Sequence, residues 1–276
     1  MEPVHTTIEG AHADTMRTRS VSLARRLLSG AGRASLVAYD LAPLKEAGAL
    51  CHGLSADGDL VVACLADDET PATTWDEGPL RVRLDVIKEA PEWAVRITAC
   101  AVHLLGVLEW LPGELLPSYL AEAGLDPQLV ELATTVGGRL GIVRTDRVLV
   151  HDSAGVLPLS FDEAVGASFP DADQEWTARD LVGRLSASQL TGLVEAAASG
   201  WGAGMSLSSR EEHACSHTEG QVFCVDIDRT GLTLMSVDPG RASVHFVAFD
   251  DPADAIDELT DRLGQLVDVW CGQPTE

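Results

Sequence analysis

The chain has 276 residues, 46% hydrophobic and 22% charged, the balance of a folded globular protein that can bury a core without disulfide staples. Nineteen Lys and Arg oppose 43 Asp and Glu, a formal net charge of -24. A surface this acidic repels phosphate backbones, which excludes nucleic acid and anionic membrane as first partners.

The acidic excess is uneven, with a net of -5 over residues 1–100 and -19 over the rest. An anionic ligand therefore needs a local arginine cluster to oppose the global field. The cysteines Cys51, Cys64, Cys100, Cys215, Cys224 and Cys271 show no C-x-x-C spacing, so no zinc ribbon or dithiol site is expected. The first twenty residues include Glu2, Glu9 and Asp14 and lack an apolar stretch, and no apolar run reaches the length of a spanning helix. A cytoplasmic protein with free thiols is the expectation.

In chain order, residues 1–17 read as a flexible lead-in. From Thr18 the period turns helical, with Val21, Ala24, Leu27 and Leu28 as the apolar stripe, and Ser29-Gly30-Ala31-Gly32 stops the helix. Strands follow at 33–39, 48–54 and 59–65, the last two joined by a turn containing Asp57-Gly58. A short helical or irregular piece is expected from Asp67 to Trp75. Further strands are predicted at 80–87, 93–102 and 103–110, then helices at 113–123 and 127–136, then strands at 140–150 and 156–161. The stretch 167–173 contains Pro170 and reads as a linker. Beyond it a single helix is predicted over 176–199 and a loop over 200–219. Three strands at 222–227, 232–237 and 243–249 and a closing helix at 252–270 complete the chain. The first part predicts a small antiparallel barrel over residues 18–166. The second predicts an α-β-β-β-α unit over 176–272, giving a fold that is mainly β plus α+β.

Three stretches of the first part carry a resemblance. They are the lead helix and strand from Ser22 to Leu36, the hairpin from His52 to Leu60, and the run from Leu140 through Phe161 to Asp171. Together they resemble the FMN-binding-type split β-barrel proteins related to pyridoxamine 5′-phosphate oxidase, in the branch used for haem utilisation. The segment Val225-Asp226-Ile227-Asp228-Arg229-Thr230-Gly231-Leu232 and the strand ending in Phe249 are similar to the small domain that accompanies this barrel. The resemblance implies a homodimer paired through the barrel, with a small-molecule cofactor between the subunits. It implies haem as that cofactor, and oxidative haem breakdown as the activity. FMN with a flavin-dependent oxidoreductase is one alternative, and a non-catalytic binding module is the other. Gln189 stands where the small domain's first helix is expected to carry a histidine.

His213-Ala214-Cys215-Ser216-His217 is the densest group of potential ligands, and imidazole suits haem iron. His213, His217 and the strand residue His245 are thus the candidate iron ligands, and no separate metal site is expected, since a structural zinc needs four ligands. Arg81 and Arg83 alternate on one strand face and, with Arg96, form the candidate clasp for an anionic group. Pairing of these arginines with Asp85 or Glu89 is the competing reading. His52 and His103 lie on strands beside apolar neighbours, within reach of a cofactor held by the barrel. There is no nucleophile elbow, H-E-x-x-H, phosphate-binding loop or dinucleotide fingerprint.

Overall fold

A computed structural model describes residues 5–40, 45–46, 50–65, 78–200, 204–212 and 215–271. It holds α1 (His5–Leu28), then β1 (Arg33–Ala38), β2 (Lys45–Glu46), β3 (Leu50–Leu54), β4 (Leu60–Leu65), β5 (Leu80–Glu89) and β6 (Thr98–Trp110). Helices α2 (Leu116–Glu122) and α3 (Pro127–Thr134) precede β7 (Gly138–Arg144), β8 (Arg147–Asp152) and β9 (Gly155–Ser160). After α4 (Phe161–Ala164) come α5 (Glu175–Val182) and α6 (Ala187–Ala198). The chain ends with β10 (Gly204–Glu211), β11 (Gln221–Asp228), β12 (Gly231–Asp238), β13 (Arg241–Ala248) and α7 (Ile256–Cys271).

The first nine strands form one sheet, paired antiparallel throughout, in the order β2-β1-β5-β6-β7-β4-β3, with β8 on β6 and β9 on β8. The sheet curls until β1 lies near β3. Its inner face and the buried side of α1 share one core, including Leu23, Leu27, Leu84, Val102 and Val150. Each such side chain contributes roughly 1.5–3 kcal/mol by leaving water. Gly32, in the turn from the lead helix into β1, is in the left-handed region at φ 86°, and a Cβ there would stand 2.7 Å from the Ile87 carbonyl oxygen. Only glycine meets both demands. Helices α2 and α3 cover β3, β4 and β7 on the outside through Leu129, Ala133 and Leu140.

The last four strands form a second sheet, β10-β13-β12-β11. One face carries α5, α6 and α7 over Leu232, Leu234 and Val247. The other faces α1 and the first sheet, through a row in register: Asp226 opposite Thr233, and Thr233 opposite Phe246. Arg19 reaches this row by packing its guanidinium 5.2 Å from the centre of the Phe246 ring and pairing with Asp152 of β8.

Several expectations need correction. The lead helix starts at His5 rather than Thr18, because its first turns carry no apolar stripe for a period to detect. Residues 98–110 are one strand, and 140–150 is two strands broken at Thr145-Asp146. The long helix over 176–199 divides at Gly183, where Ser186 caps a new helix and Gln189 Oε1 accepts from the Ser186 N–H at 2.8 Å. That cap accounts for Gln189. The expected loop over 200–219 contains edge strand β10, whose serines and charges disguise it because only one neighbour and one face bury it. The second unit is thus α-α-β-β-β-β-α. The piece from Asp67 to Trp75 lies outside the described residues.

The two sheets are joined by buried charge. Arg26 on α1 donates to both Asp226 oxygens at 2.8 and 2.9 Å and to Glu175 at 2.6 Å. Lys88, the last inward residue of β5, donates to Asp226 at 2.8 Å. Beside them Ser22 donates to Asp228 at 2.5 Å, and the Thr230 hydroxyl and N–H donate to its other oxygen. Burial alone would raise the Asp226 pKa, but Arg26 and Lys88 outweigh it and hold the carboxyl well below the usual range. The loop 90–97 adds a second clasp: Glu92 accepts from Cys224 N–H and Arg179, and Trp93 stacks on Trp176 at 4.4 Å.

Candidate functional site on the open face of the first sheet

Strand β5 alternates strictly. Leu80, Val82, Leu84, Val86 and Lys88 point inward, while Arg81, Arg83, Asp85, Ile87 and Glu89 point outward. Register extends the outward set into a row across five strands: Ser35, Asp85, His103, Leu149 and Pro158. A second row holds Ile87, Ala101, His151 and Val156. This face keeps large apolar side chains in water, with Leu105 at 66% exposure and Ile87, Leu149 and Val156 also exposed. A contiguous apolar patch of this kind marks a binding surface.

At its centre the Asp85 carboxylate accepts from His103 Nδ1 at 2.7 Å and from Arg83 Nε at 2.8 Å. Donation by Nδ1–H leaves His103 Nε2 as the free lone pair, the form in which imidazole binds a metal. The His151 ring stands edge-on to His103, 4.6 Å between centres at 84°. Beside them a cavity of 430 Å³ is lined by Leu105, Leu149, Arg83, Arg147 and Thr145, within the size range of ligand pockets. Its floor has a local cause. On one edge β6 pairs with β8 up to His103 and with β7 only from Val107, so 104–106 have no strand beside them. There the β7–β8 turn crosses, and Thr145 Oγ1 donates to the Leu105 carbonyl at 2.8 Å. Gly106 permits the crossing, since a Cβ would come within 2.6 Å of the Arg144 carbonyl oxygen.

A larger cavity of 620 Å³ at one end of the sheet, bordered by Gly78, Trp110, Pro112 and Gly138, has neither imidazole nor thiol in its lining. Among the described residues no group of three or more His, Cys, Asp or Glu side chains is placed to hold a metal ion. No helix there is long and apolar enough to cross a membrane.

Among the described residues, the predicted site residues do not come together. His213 lies outside the described residues. His217 is exposed in the turn before β11, and its carbonyl accepts from Gln221. His245 is buried on the helix side of the second sheet, opposite Leu234, with no hydrogen bond at Nδ1. Each predicted arginine already holds a carboxylate: Arg81 with Asp40, Arg83 with Asp85 and Arg96 with Glu89. The cation on the cavity rim with no acidic partner among the described residues is Arg147, which the sequence reading passed over. His151 was passed over as well, because the strand carrying it was read as ending at Val150. Alternation along 103, 105 and 107 was the available signal for His103.

Two histidines, His52 and His245, are buried. His52 Nε2 donates to the Leu27 carbonyl at 2.5 Å, and His245 faces the core near Asp238. Burial lowers both pKa values, against smaller opposing effects from the Leu27 carbonyl and Asp238. The unfolded chain, with imidazoles near ~6.5, then binds more protons than the folded one on acidification. Stability is full above that pH and falls below it, by at most about 1.4 kcal/mol per pH unit for each imidazole. Thermal melts between pH 7.5 and 5 check this, and His245→Leu is expected to flatten the profile by removing one of the two groups.

No protein-family model matches the chain, and no curated protein matches it in sequence. Among solved structures, a protein of unknown function from Agrobacterium tumefaciens is 14% identical with a TM-score of 0.37, covering 90% of this chain and 94% of that one. Campylobacter jejuni ChuZ is 7% identical with a TM-score of 0.32, over 60% and 65%. Nothing about this chain follows from likenesses that low. A haem-binding protein from Mycobacterium smegmatis matches at a TM-score of 0.53 and 16% identity, over 92% of this chain and 98% of that one. What the two share at that identity is the fold, and they share it over nearly their whole lengths.

Proposed function

We propose that the protein binds haem on the open face of the first sheet, a split β-barrel of the FMN-binding type, and that a second copy covers this face in a homodimer. One observation carries the reading: His103, fixed by Asp85 through Nδ1, stands on an apolar face beside Arg147, and among the described residues neither Nε2 nor that guanidinium has a partner. Haem asks for that donor set. His103 would hold the iron, Leu105 and Leu149 would meet the macrocycle, and Arg147 would hold a propionate. When bound, haem supplies iron-centred electron chemistry; the chain supplies the ligand and a surface that excludes water once covered. The mycobacterial neighbour is described as haem-binding, which supports the choice of ligand. The exposed Ile87, Leu105, Leu149 and Val156 support the pairing of two copies.

Titration of the purified protein with haemin is expected to shift the Soret band, saturating at one haem per chain, while FMN leaves its own spectrum unchanged. A flavin change without a Soret shift would overturn the reading in favour of FMN. No change with either would leave a binding module without a cofactor. Ascorbate under air then separates carriage, in which the band persists, from oxidative breakdown, in which it bleaches.

A further inference from the structure

We propose that Asp85 makes this a site for ferric rather than ferrous haem, acting as a positioning residue behind His103; the inference rests on the haem reading above. Both oxygens of Asp85 are committed, Oδ1 to His103 Nδ1 at 2.7 Å and Oδ2 to Arg83 Nε at 2.8 Å. The carboxylate sits directly opposite His103 in the β5–β6 ladder and is only 14% exposed. It therefore cannot swing away as a loop carboxylate would, and the edge-on His151 ring restricts rotation of the imidazole.

A carboxylate accepting the Nδ1 proton pushes electron density toward Nε2 and makes the imidazole a stronger donor. A stronger, more anionic donor favours the iron state of higher charge, so the ferric form gains relative to the ferrous one. Arg83 works in the opposite direction, because the charge it neutralises is charge Asp85 cannot lend to His103. The two neighbours of one imidazole thus set its donor strength with opposite signs. A purely structural role for Asp85 predicts no such opposition.

The test is the midpoint potential of the haem-loaded protein, measured by spectroelectrochemistry with haemin as the probe. Asp85→Asn keeps the shape and an acceptor for Nδ1–H but removes the charge. It is expected to raise the potential by about 59 mV, a tenfold loss of preference for ferric over ferrous haem in a one-electron couple. Arg83→Gln is expected to lower it. Equal potentials in the wild type and in Asp85→Asn, or shifts of the same sign in both variants, would overturn the inference while leaving haem binding intact. A wild-type protein that takes up no haemin would overturn both. Circular dichroism of each variant confirms that the sheet is retained.

Discussion

Replacing Asp226 with alanine is expected to destabilise the protein by about 3–5 kcal/mol. The carboxylate is the common acceptor for Arg26 and Lys88, whose side chains are 1% and 3% exposed. Without it two cations stay buried with Glu175 as their nearest anion, the other partner of both in this cluster. The loss is an uncompensated desolvation, not just two missing hydrogen bonds. For a chain of this size it corresponds to a fall in Tm of roughly 6–20 °C, read by calorimetry. The double variant Asp226→Ala with Lys88→Met should recover part of the loss, because it leaves one stranded cation instead of two, and the shortfall from additivity measures their coupling. A drop below 1 kcal/mol for Asp226→Ala alone would mean that water reaches the cluster.

Much of this fold was legible because β5 alternates cleanly, while β3 and β4 are short apolar runs joined by the turn at Asp57-Gly58. The Leu80–Glu89 pattern alone announces which side chains face out. What sequence could not supply was partnership. Lys88 belongs to the inward set of β5 and reads as an error in an apolar run, until Asp226, 138 positions away, is brought against it. The candidate arginines met this limit only in part: pairing with Asp85 or Glu89 was their competing reading, and pairing with Asp40 was not foreseen. Arg81, Arg83 and Arg96 were visible as cations, but the carboxylates that occupy them come from Asp40 by tertiary approach, from Asp85 two positions along the same strand and from Glu89 across the loop. Asp85 had been weighed only as a partner for strand arginines. Its place opposite His103 depends on the β5–β6 register, which shifts by a bulge between Lys88 and Glu89. His217 and His245 stood out for their residue type, whereas a ligand is recognised by what orients it. The -24 charge likewise did not point to Arg147, which has no acidic partner among the described residues and sits in the more acidic part of the chain.

His103→Ala is expected to weaken haemin binding by 100-fold or more, about 2.7 kcal/mol, and to abolish the spectrum of an imidazole-bound iron. The basis is chemical: His103 is the imidazole in the cavity lining among the described residues, and its removal leaves apolar contact and a propionate pair, neither of which bonds to iron. His103 is about one-third exposed, so the substitution opens no sealed cavity and the fold should tolerate it, in contrast to Asp226→Ala. His217→Ala and His245→Leu are expected to bind haemin as the wild type does, since one lies in an exposed turn and the other beneath the helices of the second sheet. Arg147→Gln should weaken binding by a smaller factor and leave the iron spectrum unchanged, because a propionate contact is remote from the metal. Exogenous imidazole added to His103→Ala should restore the lost spectrum without restoring affinity to the wild-type value, since a free ligand lacks the Asp85 hydrogen bond and must be ordered on binding. A His103→Ala protein with an unaltered Soret position would move the iron ligand elsewhere in the chain and leave the Asp85–His103 pair as a sheet ion pair.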